Sequence, residues 1–321
     1  YVHLPWCETQ CPYCDFSITT DPVDGNDARL AEAIIKDIKR SSDLIAGRKF
    51  KSIYFGGGTP SLASTQSIKK ILDSIRNRLA SSEVEITLEM NPNDVSEKKV
   101  EELLGAGINR VSLGIQSYIN QELQALGRNH DRKSAIQATK ILEDINSTFD
   151  LIYGIEKQTP ESFTKNLEII IASNINHLSL YQLTIEPNTI FYKKELLLPD
   201  EGAIEKMEVI GKDLLEKNGF EQYEVSSWSK PGYKSQHNLN YWQFGDFLGV
   251  GPGSHSKISN KQEIIRYRKI KPLEGYIQNQ KSADSKTITG DELDMDLAMN
   301  LLRVKDGIQH QDLLIDLPAS F

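Results

Sequence analysis

Short runs rich in β-branched and aromatic residues recur along the first part of the chain, and most are followed by a longer segment of helical period. The runs are Tyr1 to Leu4, KSIYF ending at Phe55, VEITLEM from Val84, RVSLGIQS from Arg110, TFDLIYGI from Thr148 and HLSLYQLTI from His177. In STQSIKKILDSIRNRL the apolar residues Ile68, Ile71, Leu72, Ile75 and Leu79 fall on one helical face. DARLAEAIIKDIKR, SEKKVEELLGAG, RKSAIQATKILEDI and PESFTKNLEIIIAS repeat the pattern. Start signals stand at Ser96 or Asp94 and at Thr159 with Pro160 and Glu161, and Gly105 and Gly107 suit a helix end. This alternation predicts α/β architecture, a barrel or partial barrel of six βα units before about residue 218, with chemistry at the carboxyl ends of the strands.

After Gly219 the rhythm changes to a segment rich in aromatics and glycine, read as strand-like pieces and turns without a long helix. DELDMDLAMNLLRVKDGIQHQDLL then returns to helical spacing. The expected division is 1–218 for the barrel, 219–290 for an extension completing the core, and 291–321 for the start of a small, truncated C-terminal α/β or helical region. A net charge of −8 argues against a phosphate-binding surface, so nucleic acid is not an expected partner. No apolar run reaches the roughly 18 residues of a membrane span. The expectation is a cytoplasmic protein that lacks its true start, since no Met precedes Tyr1.

The three cysteines of the chain, Cys7, Cys11 and Cys14, crowd into YVHLPWCETQCPYCDF. An odd number cannot be fully paired as internal disulfides, and a chain of 321 residues can bury a core without such staples. Metal binding or redox chemistry is the leading reading. Structural zinc usually takes four protein ligands, so a three-cysteine site leaves a position open. The glycines of YFGGGTPS, Gly56 to Gly58, read as a loop whose backbone approaches a ligand or as a tight strand-to-helix turn. No GK[ST] follows, which excludes a Walker A loop. Glu89, Gln116 and Asp150 are polar residues within or at the ends of apolar strands, where burial is costly without a partner.

CxxxCxxC at the end of the first strand, joined to this glycine run, resembles the radical S-adenosylmethionine (SAM) family. In that family three cysteines bind a [4Fe-4S] cluster, the fourth iron takes SAM, and reductive cleavage yields a 5′-deoxyadenosyl radical. The resemblance implies a partial (βα)6 radical SAM barrel. It assigns Cys7, Cys11 and Cys14 to the cluster and sets Tyr1 and the backbone at Tyr13 beside SAM. Gly57, Gly58 and Thr59 would hold the methionine end, Glu89 the ribose hydroxyls, and Gln116 would assist. Arg128 would pair with the SAM carboxylate, and Asp150 would accept from SAM.

EMNPND, GINRVSLGIQS, LGRNH, FDLIYGI, YQLTIEPNT and HNLNYW extend the resemblance to the branch containing oxygen-independent coproporphyrinogen III oxidase and a heme chaperone. The oxidase has a fourth cysteine two residues after the third; Phe16 stands there in this chain. HNLNYW matches the HNxxYW pattern of the chaperone, which implies heme as a third cofactor and His237 as its ligand, with His255 a second candidate. His3 reads as a structural neighbour of SAM. The implied function is a heme chaperone that delivers heme to acceptor proteins, retains the means to cleave SAM, and lacks oxidase activity. The alternative is radical oxidative decarboxylation of coproporphyrinogen III. A flavodoxin or ferredoxin as electron donor belongs to the same implication. A homodimer and a peripheral membrane contact are left open.

Overall fold

The computed structural model describes residues 1–308 and 313, apart from 22, 24, 261 and 262. The helical reading of the tail over 309–312 and 314 lies outside the described residues. The chain runs β1 (Val2–Leu4), α1 (Asn26–Arg40), β2 (Ser52–Gly57), α2 (Thr65–Ile75), β3 (Glu85–Met90), α3 (Glu97–Ala106) and β4 (Arg110–Gln116). It continues with α4 (Asn120–Ala125), α5 (Arg132–Ile141), β5 (Ser147–Tyr153), α6 (Pro160–Ala172), β6 (His177–Gln182) and α7 (Glu201–Lys217). The last third holds β7 (Glu221–Gln222), β8 (Ser227–Ser229), α8 (Gln236–Trp242), β9 (His255–Ser259), β10 (Ile264–Lys269), α9 (Leu273–Gln278), β11 (Ser282–Ile288) and α10 (Asp291–Leu301).

Strands β1 to β6 lie side by side in chain order and parallel, as connections through covering helices require. Antiparallel β8 and then β7 extend the β6 edge. The other edge is occupied at Val250, which accepts from His3 N at 2.8 Å and donates to Tyr1 O at 3.0 Å. The sheet is thus a partial barrel whose two outer strands both have backbone partners.

Side chains alternate along each strand. Ile86, Leu88 and Met90 of β3, Val111, Leu113 and Ile115 of β4, and Phe149 and Leu151 of β5 join the core with Ile68, Ile71, Leu72 and Ile75 of α2 and Val100 and Leu103 of α3. The opposite, inward face carries Tyr54, Thr87, Glu89, Arg110, Ser112, Thr148, Asp150, His177 and Ser179. A closed eight-stranded βα barrel packs branched apolar residues there. This lumen is polar instead.

The capping signals act as the sequence implies. Ser96 accepts from Lys99 N, Thr159 forms a capping box with Ser162, and Gly107 closes α3 at φ 113°. Helix α2 stops at Ile75, short of Leu79, because the backbone around Leu79 pairs with Phe50: Phe50 N donates to Arg78 O and Ala80 N to Phe50 O. Within the aromatic segment HNLNYW forms the short helix α8, started by Ser235, whose side chain accepts from Asn238 N. Strands β9 to β11 make a separate antiparallel sheet in the order β11-β10-β9. A buried group ties it to the barrel: Asp37 of α1 accepts from Lys269 Nζ at 2.6 Å and Tyr276 Oη at 2.7 Å.

Candidate cluster and cofactor site

From the end of β1 the chain enters the loop that carries the three cysteines. Trp6, fully buried, pairs with Thr19, and Cys7 N donates to Thr19 O at 2.9 Å, so both ends of the loop are anchored. Cys14 N donates to Cys11 O at 3.0 Å, forming a turn that brings these two residues together. All three cysteines line one cavity of about 190 Å³ at the carboxyl ends of the strands. Burial raises the Cys7 thiol and pushes Cys14 up to about 11, so iron would have to displace the proton. Among the described residues no three His, Cys, Asp or Glu side chains form a site for a single metal ion. Thiolates that each take a different iron need not converge on one point.

The glycines that follow β2 answer to packing. A Cβ on Gly57 (φ 120°) would meet the His3 ring at 2.6 Å, and one on Gly58 would meet Trp6 O at 2.4 Å. These residues let β2 lie against β1 and the cysteine loop, and they also line the cavity. The close packing accounts for glycine at Gly57 and Gly58, and both residues leave backbone on the cavity wall. Thr59, next in line, has its hydroxyl 3.8 Å from Cys7 Sγ and accepts from Asn91 Nδ2 at 3.1 Å.

Besides Thr59, four polar side chains named from the sequence share this cavity: Glu89, Gln116, Arg128 and Asp150. Glu89 accepts from Tyr54 Oη at 2.8 Å and from Gly57 N at 3.2 Å, yet burial still raises it to about 7. Burial likewise raises Asp150 to about 6, with Ser112 Oγ donating to it at 3.1 Å. Gln116 sits at φ 65°, a left-handed conformation that a residue with a Cβ adopts at a cost of about 1–2 kcal/mol. Arg128 donates through Nη2 to Asn91 Oδ1 at 2.6 Å and to Gly114 O at 2.8 Å. Its Nη1 lies 3.7 Å from Cys11 Sγ and 3.4 Å from Tyr13 Oη, and its Nε is buried without a partner. The Tyr13 side chain, for which the sequence reading offered only a backbone role, therefore lines the cavity beside Arg128.

Tyr54, Asn91 and Ser112 are the residues that sequence reasoning passed over. Their signal was the polar alternation along β2, β3 and β4 and on to Asn91, of which only Glu89 and Gln116 drew notice. Phe16, where the resemblance to the oxidase would have placed a fourth cysteine, lines the cavity and is 62% exposed.

His237 lies elsewhere. Its Nδ1 is 3.5 Å from Ser52 Oγ at the amino end of β2, whereas Gly57 at the carboxyl end reaches the cysteines. Five residues of strand separate the two ends by about 16 Å. The His237 ring stacks on Tyr54 at 4.5 Å and meets Tyr241 edge-on at 4.8 Å. It borders a floor cavity of about 520 Å³ that Tyr1, Arg48, Lys49 and Lys51 also line. Tyr1 also lines this floor cavity, and its ring lies behind Gly56, with its Oη 3.0 Å from His3 Nδ1. The same point behind Gly56 is flanked by Glu89 Oε1, so the Tyr1 ring stands close to one of the other expected SAM residues. His255 is exposed on β9.

Residues 1–170 match the radical SAM superfamily. The heme chaperone HemW of Buchnera aphidicola (subsp. Acyrthosiphon pisum, strain APS) is 41% identical over 283 residues, which covers 86% of this chain and 75% of that protein. The chain belongs to the HemW family of radical SAM proteins. HemW of Escherichia coli K12 is 36% identical over 312 residues, 96% of this chain and 82% of its own length. The structure of coproporphyrinogen III oxidase from Escherichia coli superposes with a TM-score of 0.79 over 94% of this chain and 74% of that one. At 21% identity that likeness shows a shared fold. Membership of the HemW family brings a [4Fe-4S] cluster and SAM as cofactors, and the donor set fits them. Thiols are spread along one anchored loop, and an unpartnered Arg128 Nε and two raised carboxyl groups stand beside them.

Proposed function

We propose that the chain is a heme chaperone that receives heme and hands it to acceptor proteins, with the cluster and SAM at one end of the barrel and heme at the other. The observation that carries this reading is the convergence of Cys7, Cys11 and Cys14 with Glu89, Gln116, Arg128 and Asp150 on one cavity, in a chain up to 41% identical to proteins named HemW. When bound, the cluster and SAM supply one-electron reductive cleavage of a carbon–sulfur bond. Cys7, Cys11 and Cys14 hold the cluster by their sulfurs. Gly57, Gly58 and Thr59 receive the methionine end. Arg128, already oriented by Asn91 and Gly114, offers its remaining donors to the SAM carboxylate. Glu89 and Asp150 serve as acceptors for SAM. Tyr54 and Ser112 fix their orientation.

At the floor, His237 offers iron a neutral imidazole, because burial holds its pKa well below 6.5. Lys49 and Lys51 stand on the same cavity, where carboxylates of a porphyrin would find cations. A flavodoxin or ferredoxin would supply the electron, and the cytoplasm is the compartment this chemistry suits. Anaerobic titration of the cluster-reconstituted protein with hemin tests the assignment. The wild type is expected to give a saturable Soret band and His237→Ala a band shifted in position with weaker affinity. An identical spectrum and affinity would remove His237 as ligand. Turnover of coproporphyrinogen III under reducing conditions would overturn the chaperone reading.

A further inference from the structure

A second cavity of about 390 Å³ shares Glu89, Ser112, Gln116 and Asp150 with the cluster cavity and continues down the lumen toward Arg110. Arg110 is 2% exposed, and its Nη2 is buried without a hydrogen-bond partner. Its ion pair with Glu85 is long, 3.8 Å from Nε, beyond hydrogen-bonding distance. That carboxylate is engaged by the start of α8, accepting from Gln236 N at 3.1 Å and His237 N at 2.9 Å. Thr87, the register partner of Arg110 across β3 and β4, also has a buried hydroxyl without a partner.

A buried guanidinium is expensive to keep unless an anion satisfies it. His177, the nearby base on β6, does not compete for that anion. Its ring nitrogens face the Thr148 and Tyr223 hydroxyls, and burial keeps it neutral. We propose that the barrel lumen binds a small carboxylic acid, with its carboxylate on the Arg110 guanidinium and its apolar body toward Ile152, Tyr181 and Leu183. The planar fork of arginine matches a carboxylate through two parallel hydrogen bonds. Glu89, Asp150 and Glu186 on the same walls disfavour a doubly charged phosphate. The site is separate from the one proposed for heme: His237 borders the floor cavity, while its neighbour Asn238 borders the lumen, so α8 stands between them.

Propionate is the probe. It is titrated into the cluster-reconstituted protein with SAM present and followed by saturation-transfer NMR, with inorganic phosphate as competitor at matched ionic strength. Wild type is expected to bind propionate saturably, Arg110→Lys to bind about tenfold more weakly with the charge retained, and Arg110→Met to show no saturation. Phosphate is expected not to displace it. Absence of saturable binding to the wild type, equal binding to the wild type and Arg110→Met, or displacement by phosphate would each overturn the proposal. If Arg110→Met fails to fold, Arg110→Lys carries the test: affinity unchanged from the wild type would also sink it.

Discussion

The two faces of the same strands follow opposite rules. Leu88 points outward into the helices and is fully buried among apolar neighbours, while Thr87, one residue earlier, points into the lumen with a buried hydroxyl that has no partner. The outward face is arranged for stability. The inward face accepts unfavourable features, including two carboxyl groups with raised pKa, a backbone held at positive φ and a buried guanidinium nitrogen without a hydrogen-bond partner. Such features are tolerated where a site needs them.

The strongest way to break this contrast is to truncate each face in turn. Leu88→Ala is expected to lower unfolding free energy by about 2–5 kcal/mol, through lost transfer energy and a residual cavity. Thr87→Val, close in shape, is expected to leave stability unchanged or raise it by about 1 kcal/mol, because it removes a buried hydroxyl without a partner. Denaturant titration of both variants decides the matter. A larger loss from Thr87→Val than from Leu88→Ala would end the distinction.

A second, smaller effect is pH-dependent. The folded-state pKa of Glu89 is raised to about 7, so between its ordinary value near 4.5 and about 7 the folded protein holds a proton that the unfolded chain has lost. Stability from this residue is therefore lost as pH rises through that window. Glu89→Gln, which cannot ionise, should gain on the wild type by about 3 kcal/mol as pH rises from 4.5 to 7. Parallel stability profiles for the two proteins would show that Glu89 is not held neutral by burial. Smallest of the three, Gln116→Gly should relieve the left-handed backbone and raise stability by about 1 kcal/mol while weakening SAM binding. The two readouts, chemical denaturation and SAM titration, should move in opposite directions; a loss of both would mark Gln116 as a packing residue.

What was legible in the sequence divides along the same line. Helix α2 was readable because Ile68, Ile71, Leu72 and Ile75 form an unbroken stripe. Helix α7 gave less, since its buried positions are few, Met207, Gly211 and Leu215, with Gly211 set against the Phe163 ring. Strand β11 gave almost nothing, for its residues up to Thr287 are all exposed and show no alternation. In the site, the cysteines and the isolated charged residues stood out against apolar strands. Tyr54, Asn91 and Ser112 did not, because an aromatic, an amide and a hydroxyl also occur in ordinary strands and turns; only the assembled lumen shows what each one orients. The place of His237 was equally hidden, since the contact between Ser52 and residue 237 joins parts of the chain that no local pattern connects.

The buried group formed by Asp37, Lys269 and Tyr276 has a consequence for how the molecule comes apart. Pulling the small sheet away from α1 would strand a carboxylate on one side and an ammonium on the other, each stripped of its counter-charge before water could fully reach it. The barrel and the small sheet are thus expected to unfold together, and deleting either charge alone should be more damaging than replacing both with apolar residues that fill the same space.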